Sequence, residues 1–209
     1  MRLLLHLFMR VIAGSAGGIP LKVPPLVARP TTDRVREAIF SMLGGRCENL
    51  RVLDLFAGSG SLGMEALSRG AAEAVFVEQH AGAVAVLGQN LQKTRLPNGR
   101  VIKAEVFATL RRLAQEGARF DLVFADPPYA KHPQDINLAE QLLQNDDLQT
   151  LLGSDGWLVL ESMATKNTSE HIARWQIVRD RVYGATRILI LTPSLSAASN
   201  AEIPPAAPA

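Results

Sequence analysis

From Arg51 onward one unit recurs: a short, almost wholly apolar run, a break, and then a segment with apolar residues at helical spacing. The runs are Val52 to Phe56, Ala74 to Glu78, Val101 to Ala104, Phe120 to Ala125 and Gly156 to Glu161. Each is strand length, and a strand apolar at every position must be covered on both faces. The intervening segments, Leu62 to Arg69, about Ala81 to Thr94, a helix to about Gln115, and a helix near Leu138 to Leu152, supply the cover. Trp175 to Arg181 and Ala185 to Leu191 flank Tyr183-Gly184 and read as a closing antiparallel pair. The predicted fold class is α/β. It is a Rossmann-like, doubly wound, mostly parallel sheet with an antiparallel last strand, preceded by a small N-terminal hairpin and helix.

Three regions are expected. Residues 1–45 form an arm and helix that contact substrate, residues 46–192 the main domain, and residues 193–209 a disordered tail of Ser, Ala, Asn and Pro. Residues Met1 to Phe8 are apolar but lack a cleavage site, so they are expected to be a start extension with Met9 as initiator, not a signal peptide. Arg10 to Leu26 has the Gly, Pro and short apolar pairs of a hairpin. Thr31-Thr32-Asp33 then caps a helix carrying Val35, Ile39, Met42 and Leu43, stopped by Gly44-Gly45. Arg34 and Arg36 lie off that apolar stripe. With Arg10, Arg29 and Thr32 they are candidate contacts to a phosphate backbone, although scattered arginines are ordinarily a solvated face.

A net charge of +2 does not by itself announce a nucleic-acid binder, so any such surface must be local. One cysteine, Cys47, excludes an internal disulfide and fits a reducing, cytoplasmic setting. No run is long enough to span a bilayer, and the four histidines match no metal-ligand spacing, so neither membrane nor metal is expected.

Two strand ends carry chemistry. In Asp54-Leu-Phe-Ala-Gly58-Ser-Gly60-Ser-Leu-Gly63 the glycines satisfy G-x-G-x-x-G, and Glu78 follows at the next strand end. Such glycines admit a ligand close to the backbone, and such an acid takes the hydroxyls of a ribose. A nicotinamide enzyme would show the same pattern, but Asp54 would repel a pyrophosphate. The same carboxylate can receive the ammonium of S-adenosylmethionine, which is the cofactor expected. At the other strand end, Asp126-Pro127-Pro128-Tyr129 leaves the sheet in a stiff extended turn. A carboxylate, a fixed carbonyl and a ring can together hold a planar group bearing an amino substituent. A polar strand end before a proline turn is the plain structural alternative.

These two motifs resemble those of class I methyltransferases that modify exocyclic amino groups. Arg10-Val-Ile-Ala-Gly14 and Arg29-Pro-Thr-Thr-Asp-Arg-Val-Arg-Glu-Ala-Ile-Phe40 narrow the resemblance to the RsmD family, over about Arg10 to Leu191. The resemblance implies methyl transfer to the exocyclic N2 of one guanine in small-subunit (16S) ribosomal RNA, within an assembling 30S particle. It also implies that Asp54, Phe56, Gly58, Gly60, Glu78, Glu105 and Val106 bind the cofactor, and that Asp126, Pro127, Pro128 and Tyr129 are catalytic. Glu105 departs from the family's usual Asp or Asn, and the segment Gly14 to Lys22 carries fewer arginines than the usual arm. The competing readings are a DNA adenine or cytosine amino-methyltransferase, a nicotinamide oxidoreductase and a non-catalytic RNA-binding module.

Overall fold

The computed structural model describes residues 9–25, 31–45, 47–130, 134–164 and 174–194. Met1 to Phe8, Arg29 and the proposed tail beyond residue 194 lie outside the described residues. Strands β1 (Met9–Arg10) and β2 (Pro20–Leu21) pair antiparallel as the expected hairpin, and helix α1 (Asp33–Met42) follows. Then come β3 (Arg51–Leu55), α2 (Ser61–Ser68), β4 (Glu73–Glu78), α3 (Ala81–Thr94), β5 (Gly99–Lys103), α4 (Val106–Gln115) and β6 (Leu122–Ala125). The chain continues through α5 (Leu138–Leu143), α6 (Asp146–Leu152), β7 (Trp157–Met163), β8 (Trp175–Tyr183) and β9 (Thr186–Pro193).

The seven main strands lie in the order β5-β4-β3-β6-β7-β9-β8. The first five are parallel to one another, and β9 and β8 are antiparallel additions. Chain order runs outward in opposite directions from the β3–β6 pair. That pair is the switch point, where the carboxyl ends of an open parallel sheet leave a crevice. Its register sets Asp54 beside Phe124 and Leu55 beside Ala125. The two motifs, far apart in sequence, therefore end on neighbouring strands.

Alternate residues of one strand feed two separate cores, as period-2 geometry requires. Val52, Ala74, Phe76 and Phe124 pack with Ile39, Phe40, Met64 and Leu87 from α1, α2 and α3. Leu53, Leu55, Val75, Val77 and Val123 pack on the other face with Leu110, Leu113, Leu142 and Leu151. The Phe40 and Phe124 rings meet at 5.6 Å, tilted by 53°, and join α1 directly to the site strand.

One expectation needs correction. The single helix near Leu138 to Leu152 is two helices, because Asn145 accepts a hydrogen bond from the Leu148 N–H at 2.8 Å and begins α6 anew. An asparagine followed by two acids is a helix start, and here it outweighs the continuous apolar spacing. The N-terminal hairpin and helix pack into the main core: Met9, Val11, Ala16, Leu21, Val35, Ile39 and Phe40 all belong to it. Glu65 accepts from the N–H groups of Ile12 at 2.6 Å and Ala13 at 3.0 Å, which clamps the hairpin onto α2. Gly14, at φ 81°, sits so close that an added Cβ would lie 1.8 Å from the Ser68 carbonyl oxygen. No described helix is long and apolar enough to cross a membrane.

Candidate active site

A cleft of about 830 Å³ opens at the carboxyl ends of β3, β4, β6 and β7. It brings together Asp54, Phe56, Gly58, Glu78, Val106, Asp126, Pro127, Pro128, Tyr129, Thr32 and Arg34 from the sequence prediction. Of these, Thr32 spends its hydroxyl on capping α1, accepting from the Val35 N–H at 3.4 Å. Arg34 stays exposed at the rim.

The cofactor side is built on β3, β4 and the loop between β3 and α2. Phe56 takes φ 57°, a left-handed conformation that costs a bulky residue energy and redirects the chain across the strand ends. Asp54 is buried and accepts the Gly63 N–H at 2.9 Å through Oδ2. Burial raises its pKa to about 7, against the bond from Gly63, with the charge of Glu78 adding to the rise. Glu78 is tied at both oxygens, by the Gly58 N–H at 2.9 Å and the His80 N–H at 2.8 Å. A fixed carboxylate of this kind keeps further lone pairs for hydroxyl donors.

The turn after β6 is the second half of the site. Asp126 Oδ2 lies 3.0 Å from Thr31 Oγ1, and the same hydroxyl lies 3.0 Å from Glu161 Oε2. The Tyr129 hydroxyl donates to Glu161 Oε1 at 2.9 Å, which fixes the ring. Desolvation first, then the charges of Glu161 and Asp54, push Asp126 up to about 8, while the Thr31 hydrogen bond opposes them. Burial also raises the Tyr129 pKa, so its phenol stays protonated.

Four predicted residues take other places. Gly60 does not line the cleft: at φ 78°, an added Cβ would lie 2.1 Å from Leu87 Cδ1, so it serves helix-on-strand packing. Glu105 turns back to cap α4, accepting from Phe107 N–H at 3.0 Å and Ala108 N–H at 2.7 Å, and only Val106 reaches the cleft. Arg36 is fully buried, with Nη2 donating to the Arg10 carbonyl at 2.6 Å and to Asp33 at 2.7 Å. Its guanidinium is turned into the arm and away from any backbone outside; helical spacing placed it off the stripe, but the hairpin covers that face. Arg10 is exposed and pairs with Asp33 at 3.3 Å, outside the cleft.

Thr31, Glu161, His80 and Tyr183 line the cleft and were not predicted there. Glu161 carried a readable signal, because it ends the apolar sequence run Gly156 to Glu161 much as Asp126 follows Phe120 to Ala125, although β7 itself continues to Met163.

Comparison with known proteins agrees with this geometry. The family model described as conserved hypothetical protein 95 matches residues 9–192. Ribosomal RNA small subunit methyltransferase D of Escherichia coli (strain K12) is 36% identical over 182 residues, covering 84% of this chain and 85% of its own length. The Haemophilus influenzae protein of the same name is 34% identical, over 84% of this chain and 89% of its own. The solved structure of hypothetical protein TTHA0928 from Thermus thermophilus superposes with a TM-score of 0.71. It is 34% identical and covers 88% of this chain and 99% of that one. With the motifs, the fold and 184 of its residues matched, the chain belongs to the RsmD family of methyltransferases.

Proposed function

We propose that this protein transfers a methyl group from S-adenosylmethionine to the exocyclic N2 amino group of a guanine in small-subunit ribosomal RNA, within an assembling 30S particle. The observation that carries the reading is the convergence of Asp54, Glu78 and Asp126 in one cleft at the switch point of the sheet. The names of the relatives from E. coli and H. influenzae support the ribosomal RNA.

The donor set suits this cofactor. Four acidic side chains in one cleft, Asp54, Glu78, Asp126 and Glu161, disfavour a pyrophosphate and favour a ligand with an ammonium and a sulfonium. Asp54 would receive the ammonium, Glu78 the ribose hydroxyls, and Phe56, Ala83 and Val106 the flat face of the adenine. When bound, the cofactor supplies an electrophilic methyl group.

The protein's own part is to make a poor nucleophile competent. A guanine amino nitrogen has its lone pair delocalised into the ring. Asp126 and the Pro127 carbonyl would accept its two N–H bonds and turn the lone pair out of conjugation. Tyr129, held by Glu161, offers its ring for stacking on a base swung out of its helix. Positioning supplies most of the acceleration, and Asp126 accepts the departing proton. Arg34 at the rim would contact the RNA backbone.

The test uses tritiated donor with two substrates from cells lacking the modification: deproteinised ribosomal RNA and small-subunit particles. Label recovered as N2-methylguanosine, chiefly from particles, is the expected result. Label in adenine or cytosine, or in DNA, would overturn the assignment.

A further inference from the structure

Asp126, just past β6, and Glu161, within β7, lie side by side, because the β6–β7 register pairs Ala125 with Leu160. Thr31 Oγ1 stands 3.0 Å from an oxygen of each. A threonine hydroxyl has one proton to donate. It can serve one ionised carboxylate, and the other contact is then a hydrogen bond only if that acid is protonated and donates to Thr31. Two ionised carboxylates this close also repel, which favours one shared proton. The Tyr129 hydroxyl on Glu161 Oε1 completes a chain of four side chains that ends at the base-facing turn.

We propose that Glu161 is a positioning residue of the transfer reaction, sharing one proton with Asp126 through the Thr31 hydroxyl and receiving that proton as Asp126 accepts another from the substrate. The inference rests on the methyl-transfer reading above. In the resting pair, Asp126 Oδ2–H donates to Thr31 Oγ1, and the Thr31 hydroxyl donates to ionised Glu161. The substrate nitrogen bonds the methyl carbon while the carbon–sulfur electron pair leaves with sulfur, and the nitrogen then loses a proton to Asp126 Oδ1. The Oδ2 proton moves to Thr31 and the Thr31 proton to Glu161. Asp126 ends singly protonated and Glu161 neutral, and Thr31 is unchanged. This gives the departing proton a place inside a cleft already crowded with acids.

Four groups face the Asp126 carboxyl: Asp54 from β3, Thr31 ahead of α1, Glu161 from β7 and Tyr129 on its own turn. Glu78, His80, Arg34 and Tyr183 line the same cleft.

The test is carbon-13 NMR titration of aspartate carboxyls in the full chain without ligands, with Asp126 assigned by Asp126→Asn. The wild-type Asp126 signal should titrate near about 8. Glu161→Gln should lower that midpoint by about one unit or more, since it removes the like charge. Thr31→Val should lower it too, because protonated Asp126 loses the hydroxyl that accepts its hydrogen bond, and Thr31→Ser should restore it. In turnover assays Glu161→Gln should reduce kcat by about ten- to a hundredfold with KM for the donor unchanged. A midpoint that moves in neither Glu161→Gln nor Thr31→Val overturns the proposal. If Glu161→Gln does not fold, the threonine pair decides alone, a downward shift in Thr31→Val supporting the proposal and an upward shift or none overturning it. The titration needs neither donor nor RNA, so a different methyl acceptor would leave its outcome intact. An ordinary Asp126 titration in an enzyme that still methylates guanine would sink this inference alone.

Discussion

Glu65 and Asp126 are both acids drawn away from bulk water, and their surroundings treat them in opposite ways. Glu65 is fully buried and saturated, by two backbone N–H groups of the hairpin and by Arg69 Nε at 2.7 Å. Arg69 is itself anchored, its guanidinium 4.7 Å from the Phe40 ring centroid. Asp126 has one hydroxyl on Oδ2, a neighbouring acid across that hydroxyl, and a pKa raised to about 8. A saturated carboxylate is a joint. An under-compensated one in a cleft holds unspent affinity for protons and N–H donors, which is the mark of a working group.

The contrast is broken most severely at the working end. Asp126→Ala should cut methyl transfer by at least about a thousandfold. Affinity for S-adenosylhomocysteine, measured by calorimetry, should stay within a few-fold, because Asp54 and Glu78 are untouched. Full activity in that variant would make Asp126 a joint too.

At the other end, Glu65→Ala should destabilise the fold by about 2–4 kcal/mol, since it removes the buried partner of Arg69 and of two part-buried amides. Urea unfolding would report it, and the Asp126 titration should not move. A loss below about 1 kcal/mol would mean that the hairpin is held by its apolar contacts alone.

Asp54 sharpens the comparison through pH. Its carboxyl sits near about 7 because burial disfavours the charge. A ligand ammonium would favour the ionised form, so affinity for S-adenosylhomocysteine should fall as pH drops from about 7.5 to 6, by about five- to tenfold. Asp54→Asn should bind weakly and lose that dependence. The smallest effect is expected at the rim, where Arg34→Glu should weaken RNA binding a few-fold and flatten its salt dependence by about one unit of slope.

Much of this was legible in the chain. Uniformly apolar runs forced a two-sided parallel sheet, and the end of each run located Asp54, Glu78 and Asp126. What escaped depends on contacts between distant segments. Periodicity put Arg36 on an outer face, and no local rule shows that a hairpin some fifteen residues earlier lies over it. Glu105 reads as a strand-end acid, yet it stands at the N-cap of α4 and spends both oxygens on the first amides of its own helix. Gly60 matches a ligand-loop pattern, but whether its missing Cβ faces cofactor or core depends on Leu87 and Phe76. Thr31 and Glu161 are separated by 130 residues, so their shared bond has no sequence signature.

The most direct test is a crystal structure with S-adenosylhomocysteine bound. The account predicts its ammonium against Asp54, its ribose hydroxyls on Glu78, its adenine along Val106, and its sulfur facing the turn that holds Asp126. A ligand bound elsewhere, or one that leaves Asp126 turned away from the sulfur, would contradict it.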